Sequence, residues 1–133
     1  MNASPLRAGI IDTDLLRAMH RATNAAIEFA TNLARDAGLR ASAYSLMVLT
    51  AECRDDTDRE LLTLLLEHST IYPVSVHISR RALALLEAQP APAALSVDAA
   101  LVAATALVHK LPVYTANPGR YANLHGLAAI QPY

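Results

Sequence analysis

The stretch from Gly9 to Leu16 constrains this chain most, because two β-branched apolar residues run directly into three polar ones. Gly9 to Ile11 predicts a short strand that is apolar on both faces, as in a buried parallel sheet. A helix should begin at Thr13 or Asp14, so Asp12 would stand at the carboxyl end of the strand, where open α/β sheets hold their ligands. A carboxylate there must stay solvated, paired or metal-bound. Alternatively, Asp12 and Asp14 only open the helix, where acids suit the positive end of the helix dipole.

Strands and helices alternate along the rest of the chain, which predicts a parallel α/β sandwich. Further strands are expected at residues 40–44, 71–74, 112–115 and 127–130. Further helices are expected at residues 25–33, 46–54, from Asp58 onwards, 75–86 and 97–109. Thr57 and Glu60 form a capping box for the helix at Asp58, and Ser96 is a suitable N-cap for the last helix. A chain of 133 residues fits one domain, residues 1–133. We expect a single-domain three-layer α/β/α sandwich with a mainly parallel sheet.

Composition narrows the classes of function. Eleven basic and twelve acidic side chains give a net charge of −1, so no global field attracts nucleic acid, and contact with it would need a local cluster. The single cysteine, Cys53, offers neither a disulfide nor a thiolate metal site. The longest apolar run, residues 99–108 with Thr105 inside it, is too short to span a bilayer. We expect a soluble cytoplasmic protein without a membrane partner.

Four side chains with oxygen donors fall at corresponding places in this predicted fold. Asp12 closes the first strand, and Glu52 lies in the helix after the second. Asp98 opens the central helix, and Asn117 follows the fourth strand. In a parallel sheet these places lie along one edge, where clustered carboxylates would repel each other unless a hard cation such as Mg²⁺ or Mn²⁺ lay between them. A metal held this way can polarise a phosphodiester and activate a bound water.

Each acid also has a simpler explanation. Asp98 could serve only the N-terminus of its helix, and Glu52 could be an ordinary exposed acid. The residues three and four positions from Glu52 are apolar or acidic, which argues against a salt bridge along its helix.

Taken together, the sequence resembles a PIN domain, the PilT N-terminal nuclease fold, and in particular the VapC-type toxins of bacterial toxin–antitoxin pairs. The matching stretches occur in family order, cover nearly the whole chain, and comprise residues 10–16, 49–52, 96–106, 111–118 and 126–127. The segment around Asp98 and the segment Leu-Pro-Val-Tyr-Thr-Ala-Asn are together the specific part, since the first motif alone is weak.

The resemblance implies a metal-dependent endoribonuclease that uses Mg²⁺ or Mn²⁺. The residues matching the family's catalytic and metal-binding acids are Asp12, Glu52 and Asp98. The residues expected to complete the pocket are Thr13, Asp14, Thr115 and Asn117. The implied partners are an RNA substrate, a cognate antitoxin whose C-terminal segment fills the acidic groove, and a second copy in a homodimer. Arg17 and Arg21, on one helical face beside the first acid, are candidates for contacts with RNA phosphates.

Two positions depart from the family pattern. Many relatives have a fourth acid where this chain has Asn117, and many have an acid before the aromatic residue where this chain has Arg120 followed by Tyr121. Asparagine keeps an oxygen ligand but drops a negative charge, which Asp14 could restore.

Two other functions remain open. A haloacid-dehalogenase-like phosphatase is suggested because Asp12-Thr13-Asp14 resembles its nucleophile and acid pair after a strand. Members of that class have Thr or Val at the position of Leu16. They also need a pair of acids near the end of the chain, whereas no acid follows Asp98 here. The other is a PIN fold kept only as a binding module with a weakened metal site, motivated by Asn117. Metal-dependent RNA cleavage would exclude it.

Overall fold

The computed structural model describes residues 4–133 of the chain. The strands are β1 (Ile10–Ile11), β2 (Arg40–Ser42), β3 (Thr70–Tyr72), β4 (Val113–Tyr114) and β5 (Ala129–Ile130). The helices are α1 (Thr13–His20), α2 (Asn24–Asp36), α3 (Ala43–Glu52), α4 (Asp56–Leu66), α5 (Val76–Glu87) and α6 (Val97–His109). A 3₁₀ turn spans Pro118–Tyr121. No helix among the described residues is long and apolar enough to cross a membrane.

The sheet is parallel throughout, with the strand order β3-β2-β1-β4-β5. The chain builds outward from β1 to β3 on one side, and then adds β4 and β5 on the other. The strand order therefore reverses between β1 and β4, and in open α/β sheets ligands bind outside the carboxyl ends of the strands at such a point. Asp12 directly follows β1 and Thr115 directly follows β4, so both lie at this reversal.

Consecutive residues of the central strands face opposite layers of helices, as the two-residue period of a strand requires. Ile11 and Tyr114 are buried with side chains of α1 to α4. Ile10 and Val113 are buried with side chains of α5 and α6. This arrangement confirms the expected three-layer α/β/α sandwich.

Close packing at the start of β1 depends on a glycine. A Cβ atom built on Gly9 would lie 2.7 Å from Cε2 and 2.8 Å from Cδ2 of Tyr114. The Tyr114 hydroxyl in turn donates a hydrogen bond of 2.6 Å to the carbonyl oxygen of Arg7. The aromatic ring thus packs closely against the backbone that leads into β1.

Helix caps set the element boundaries, and two of them differ from the prediction. The α4 helix begins at Asp56 rather than Asp58, because the Asp55 carboxylate accepts from the Asp58 amide at 2.8 Å and caps the helix earlier. The second strand ends at Ser42, whose hydroxyl accepts from the Tyr44 amide and starts α3 at residue 43. Residues 43 and 44, predicted as strand, are therefore helical.

The last two helices agree with the sequence-based prediction. Ser75 and Ser96 cap α5 and α6, through hydrogen bonds from the amides of Ile78 and Ala99. The α6 helix is apolar on most sides and packs against α5 and strands β1, β2 and β4.

Candidate functional site

Asp12 uses its two carboxylate oxygens differently. Oδ1 accepts a hydrogen bond of 2.9 Å from the Leu15 amide and so caps α1. Oδ2 has the Tyr121 hydroxyl at 3.5 Å and Nη1 of Arg120 at 4.0 Å. The side chain is only 1% exposed, and this burial raises its pKa, although hydrogen bonds from the Thr115 side chain and the Leu15 amide oppose the shift. One oxygen therefore opens the helix, as one sequence interpretation expected, and the other is left facing Tyr121 and Arg120.

Thr13 connects α1 to two other helices through its buried hydroxyl. Its Oγ1 donates to Oδ1 of Asp98 at 2.7 Å and lies 2.8 Å from Oγ of Ser45. Because a hydroxyl has one proton and Thr13 gives it to Asp98, Ser45 must be the donor in the second bond. The result holds the Asp98 carboxylate next to the segment that carries Asp12. Sequence analysis missed Ser45, for which the only signal is a small polar residue in an otherwise apolar stretch.

Asp14 lies between two arginines that come from different parts of the chain. Its Oδ1 accepts from Nη1 of Arg17, and its Oδ2 accepts from Nη2 of Arg120, each at 2.6 Å. Partial burial raises the pKa of Asp14. The hydrogen bonds and charges of Arg120, and to a smaller extent those of Arg17, lower it by more, so the pKa of Asp14 lies below its usual value. Asp14 is therefore ionised at neutral pH and already paired on both oxygens.

Glu52 is bound by the same Arg17 from across the helical layer. Nε of Arg17 donates to Oε1 of Glu52 and Nη2 donates to Oε2, both at 2.8 Å. This bidentate pair lowers the pKa of Glu52 and raises that of Arg17. The sequence analysis considered only neighbours of Glu52 along its own helix. The pairing with Arg17, which comes from α1, was therefore not predicted.

Arginines thus link three of the acids, while the fourth, Asp98, is held by Thr13. Following the contacts, Glu52 pairs with Arg17, Arg17 with Asp14, Asp14 with Arg120, and Arg120 lies 4.0 Å from Asp12. Neither arginine was predicted to pair with these acids. Arg17 is a candidate for contacts with RNA, but its guanidinium already donates hydrogen bonds to Glu52 and Asp14.

The other predicted pocket residues differ in how closely they approach the acids. Thr115 is buried after β4, and its hydroxyl accepts from the Asn117 amide at 3.0 Å. The Asn117 side chain itself is exposed at the start of the 3₁₀ turn and makes no capping hydrogen bond. Arg21 is exposed just after α1 and lines a cleft of about 490 Å³ together with Arg17 and Glu52.

The oxygen donors fit a small hard cation only in part. No group of three or more His, Cys, Asp or Glu side chains within residues 4–133 is arranged to hold a metal ion. Mg²⁺, however, commonly takes one or two protein carboxylates and keeps several waters. The second oxygen of Asp12 and the carboxylate of Asp98 offer that chemistry, whereas both oxygens of Glu52 are taken by Arg17.

The sequence matches no protein-family profile and no curated protein. The fold, in contrast, has clear counterparts among solved structures. A toxin–antitoxin complex from Klebsiella pneumoniae matches with a TM-score of 0.76 and 21% identity over 95% of this chain and 98% of that one. VapBC2 from Rickettsia felis, bound to a DNA fragment from its promoter, matches with a TM-score of 0.76 and 14% identity over 94% and 98%. VapBC-5 from Mycobacterium tuberculosis matches with a TM-score of 0.64 and 19% identity over 96% and 99%. These likenesses confirm the expected PIN-like fold.

Proposed function

We propose that this chain is a metal-dependent endoribonuclease and the toxin of a bacterial toxin–antitoxin pair. The observation that carries the proposal is the hydrogen bond from Thr13 to Asp98, which brings a second carboxylate to the residue that follows Asp12, at the reversal of strand order. The fold shared with toxin–antitoxin complexes supports the same conclusion. RNA is the proposed substrate, and Mg²⁺ or Mn²⁺ the proposed cofactor.

In this proposal Asp12 and Asp98 hold the cation, and Glu52 is the further acid expected from the resemblance. When bound, such a cation would polarise the phosphodiester and lower the pKa of a bound water. The protein's own groups keep the two acids oriented: the Leu15 amide fixes Asp12, and the Thr13 hydroxyl fixes Asp98. Hydrolysis of this kind leaves a 5′-phosphate on the product.

The proposed protein partner is a cognate antitoxin, as in the complexes that share the fold. A homodimer and a cytoplasmic location complete the proposal. Three large apolar side chains on α3 and α4 are exposed and available for contact with another chain: Met47, Leu61 and Leu64. Size measurement by light scattering, with and without the antitoxin, tests both assemblies.

RNA cleavage in the presence and absence of EDTA tests the enzymatic proposal. Wild type should cut single-stranded or looped RNA with Mn²⁺ and leave 5′-phosphate ends, and EDTA should stop it. Asp98→Asn should lose at least about a hundredfold in rate, because removing a catalytic electrostatic contact typically costs that much. Asp56→Asn, at an exposed acid of α4, is the matched control and should cleave normally. Cyclic phosphate ends, or cleavage that survives EDTA, would contradict the proposal.

A binding module with a weakened metal site is the second candidate, and the arginine contacts favour it specifically. Arg17 and Arg120 compensate part of the negative charge that would attract a cation. This candidate requires RNA or protein binding without cleavage at any Mn²⁺ concentration. The phosphatase alternative loses support, because an ionised Asp14 held by two guanidiniums is a poor proton donor.

A further inference from the structure

We propose that Arg120 is a built-in counter-cation of the acidic cleft, which competes with the divalent cation and so weakens its affinity. The inference rests on the proposed function only in requiring that Asp12 and Asp98 bind a divalent cation. In this role Arg120 is not a ligand of the metal. When no metal is bound, its positive charge balances part of the negative charge of the acids.

The position of the guanidinium carries this inference. Nη2 of Arg120 lies 2.6 Å from Oδ2 of Asp14, and Nη1 lies 4.0 Å from Oδ2 of Asp12. This Asp12 oxygen is the one left over after the other caps α1. The Arg120 side chain is 28% exposed, so its charge acts from a partly desolvated position. A cation bound to the same Asp12 oxygen would meet a like charge a few ångströms away, and this repulsion would weaken its binding.

The two arginines of the cleft differ in how firmly they are held. Arg17 makes three hydrogen bonds to carboxylates, two to Glu52 and one to Asp14. Arg120 makes one, to Asp14. Arg120 is therefore the guanidinium that a metal ion would displace, while Arg17 stays in place. Asp14 positions both arginines, and its two oxygens are not available to a metal while they do so.

The test is calorimetric titration of Mn²⁺ into the metal-free protein, with no RNA present. Arg120→Gln should bind Mn²⁺ about tenfold more tightly than wild type, because it removes the competing charge but keeps a polar side chain. Arg120→Lys keeps the charge and should stay within about threefold of wild type. Arg35→Gln is the matched control, since Arg35 pairs with Asp36 away from the cleft, and its affinity should be unchanged. A thermal unfolding curve for each variant verifies that it is folded.

The outcomes separate this inference from the proposed function. If Arg120→Gln binds Mn²⁺ as wild type does or more weakly, the counter-cation role is wrong, while the metal site and the nuclease proposal stand. If Arg120→Lys tightens binding as much as Arg120→Gln, size rather than charge matters, and the role is again wrong. If none of the four proteins binds Mn²⁺, both the inference and the metal-dependent function are overturned.

Discussion

Arg17 and Glu52 form a bidentate ion pair between α1 and α3, with both nitrogen–oxygen distances at 2.8 Å. The pair joins residues 35 positions apart in the chain, and the third nitrogen of the same guanidinium holds Asp14. One side chain thus fixes the relative positions of two acids at the rim of the candidate site.

Arg17→Ala should lower the free energy of unfolding by about 1 kcal/mol, because it removes two partly exposed ion pairs, each of which contributes only a fraction of that. Arg54→Ala is the matched control: it breaks a single pair with Asp58 in which the arginine is 86% exposed, and should cost less. Urea unfolding measures both. Equal losses in the two variants would mean that the bidentate geometry of Arg17 contributes nothing.

Asp12→Asn should raise the thermal midpoint of the metal-free protein at neutral pH. Burial raises the pKa of Asp12, so the folded protein holds this proton more strongly than the unfolded chain. Stability from this group is therefore present at acidic pH and is lost as pH rises through the raised pKa. Asparagine still accepts from the Leu15 amide but carries no charge. The gap between the variant and wild type should widen as pH rises from the ordinary carboxyl range, and then become constant. A gap that narrows with rising pH would contradict the assigned direction.

Thr13→Val should destabilise the protein by about 1–3 kcal/mol, because it leaves the buried Ser45 hydroxyl and the Asp98 carboxylate without their shared partner. Thr13→Ser keeps the hydroxyl and should retain RNA cleavage close to that of wild type, whereas Thr13→Val should lose most of it. Unfolding and cleavage are measured on the same preparations. If the two variants cleave equally well, Thr13 does not position Asp98.

Gly9→Ala should destabilise the protein by about 1–3 kcal/mol through overpacking, since the added Cβ would lie 2.7 Å from the Tyr114 ring. Gly119→Ala is the matched control, because its Cβ would approach only Oδ1 of Asn117, at 3.4 Å, and should change stability by under about 0.5 kcal/mol. Thermal unfolding distinguishes them. A neutral Gly9→Ala variant would show that the ring moves aside without cost.

Elements with a local signal could be predicted from the sequence. The run into Asp12 identified β1 and the start of α1, and Ser96 identified the first residue of α6, because strand periodicity and helix capping depend on neighbours a few positions away. The boundary of α4 was missed because Thr57, with Glu60 three residues later, is also a suitable cap, whereas the earlier residue Asp55 caps the helix.

The charge pairs of the site could not be predicted in the same way. Arg120 reaches Asp14 across 106 positions, and Thr13 reaches Ser45 across 32. These contacts arise only when the sheet brings distant segments together, and a chain with one arginine for almost every acid allows many alternative pairings. The sequence identified the acids, but the fold determines which of them are neutralised.

Because Asp12 both caps α1 and faces the cleft, few substitutions there could remove the proposed nuclease activity and still leave the protein folded. Most substitutions there would remove the cap of α1 together with the oxygen that faces the cleft. Asn keeps an oxygen acceptor for the Leu15 amide, and a single base change converts an aspartate codon into an asparagine codon. If the active protein harms its host, inactive alleles that still yield folded protein should accumulate Asp12→Asn in preference to other changes at this position. A single base change would then inactivate the protein and leave its fold intact.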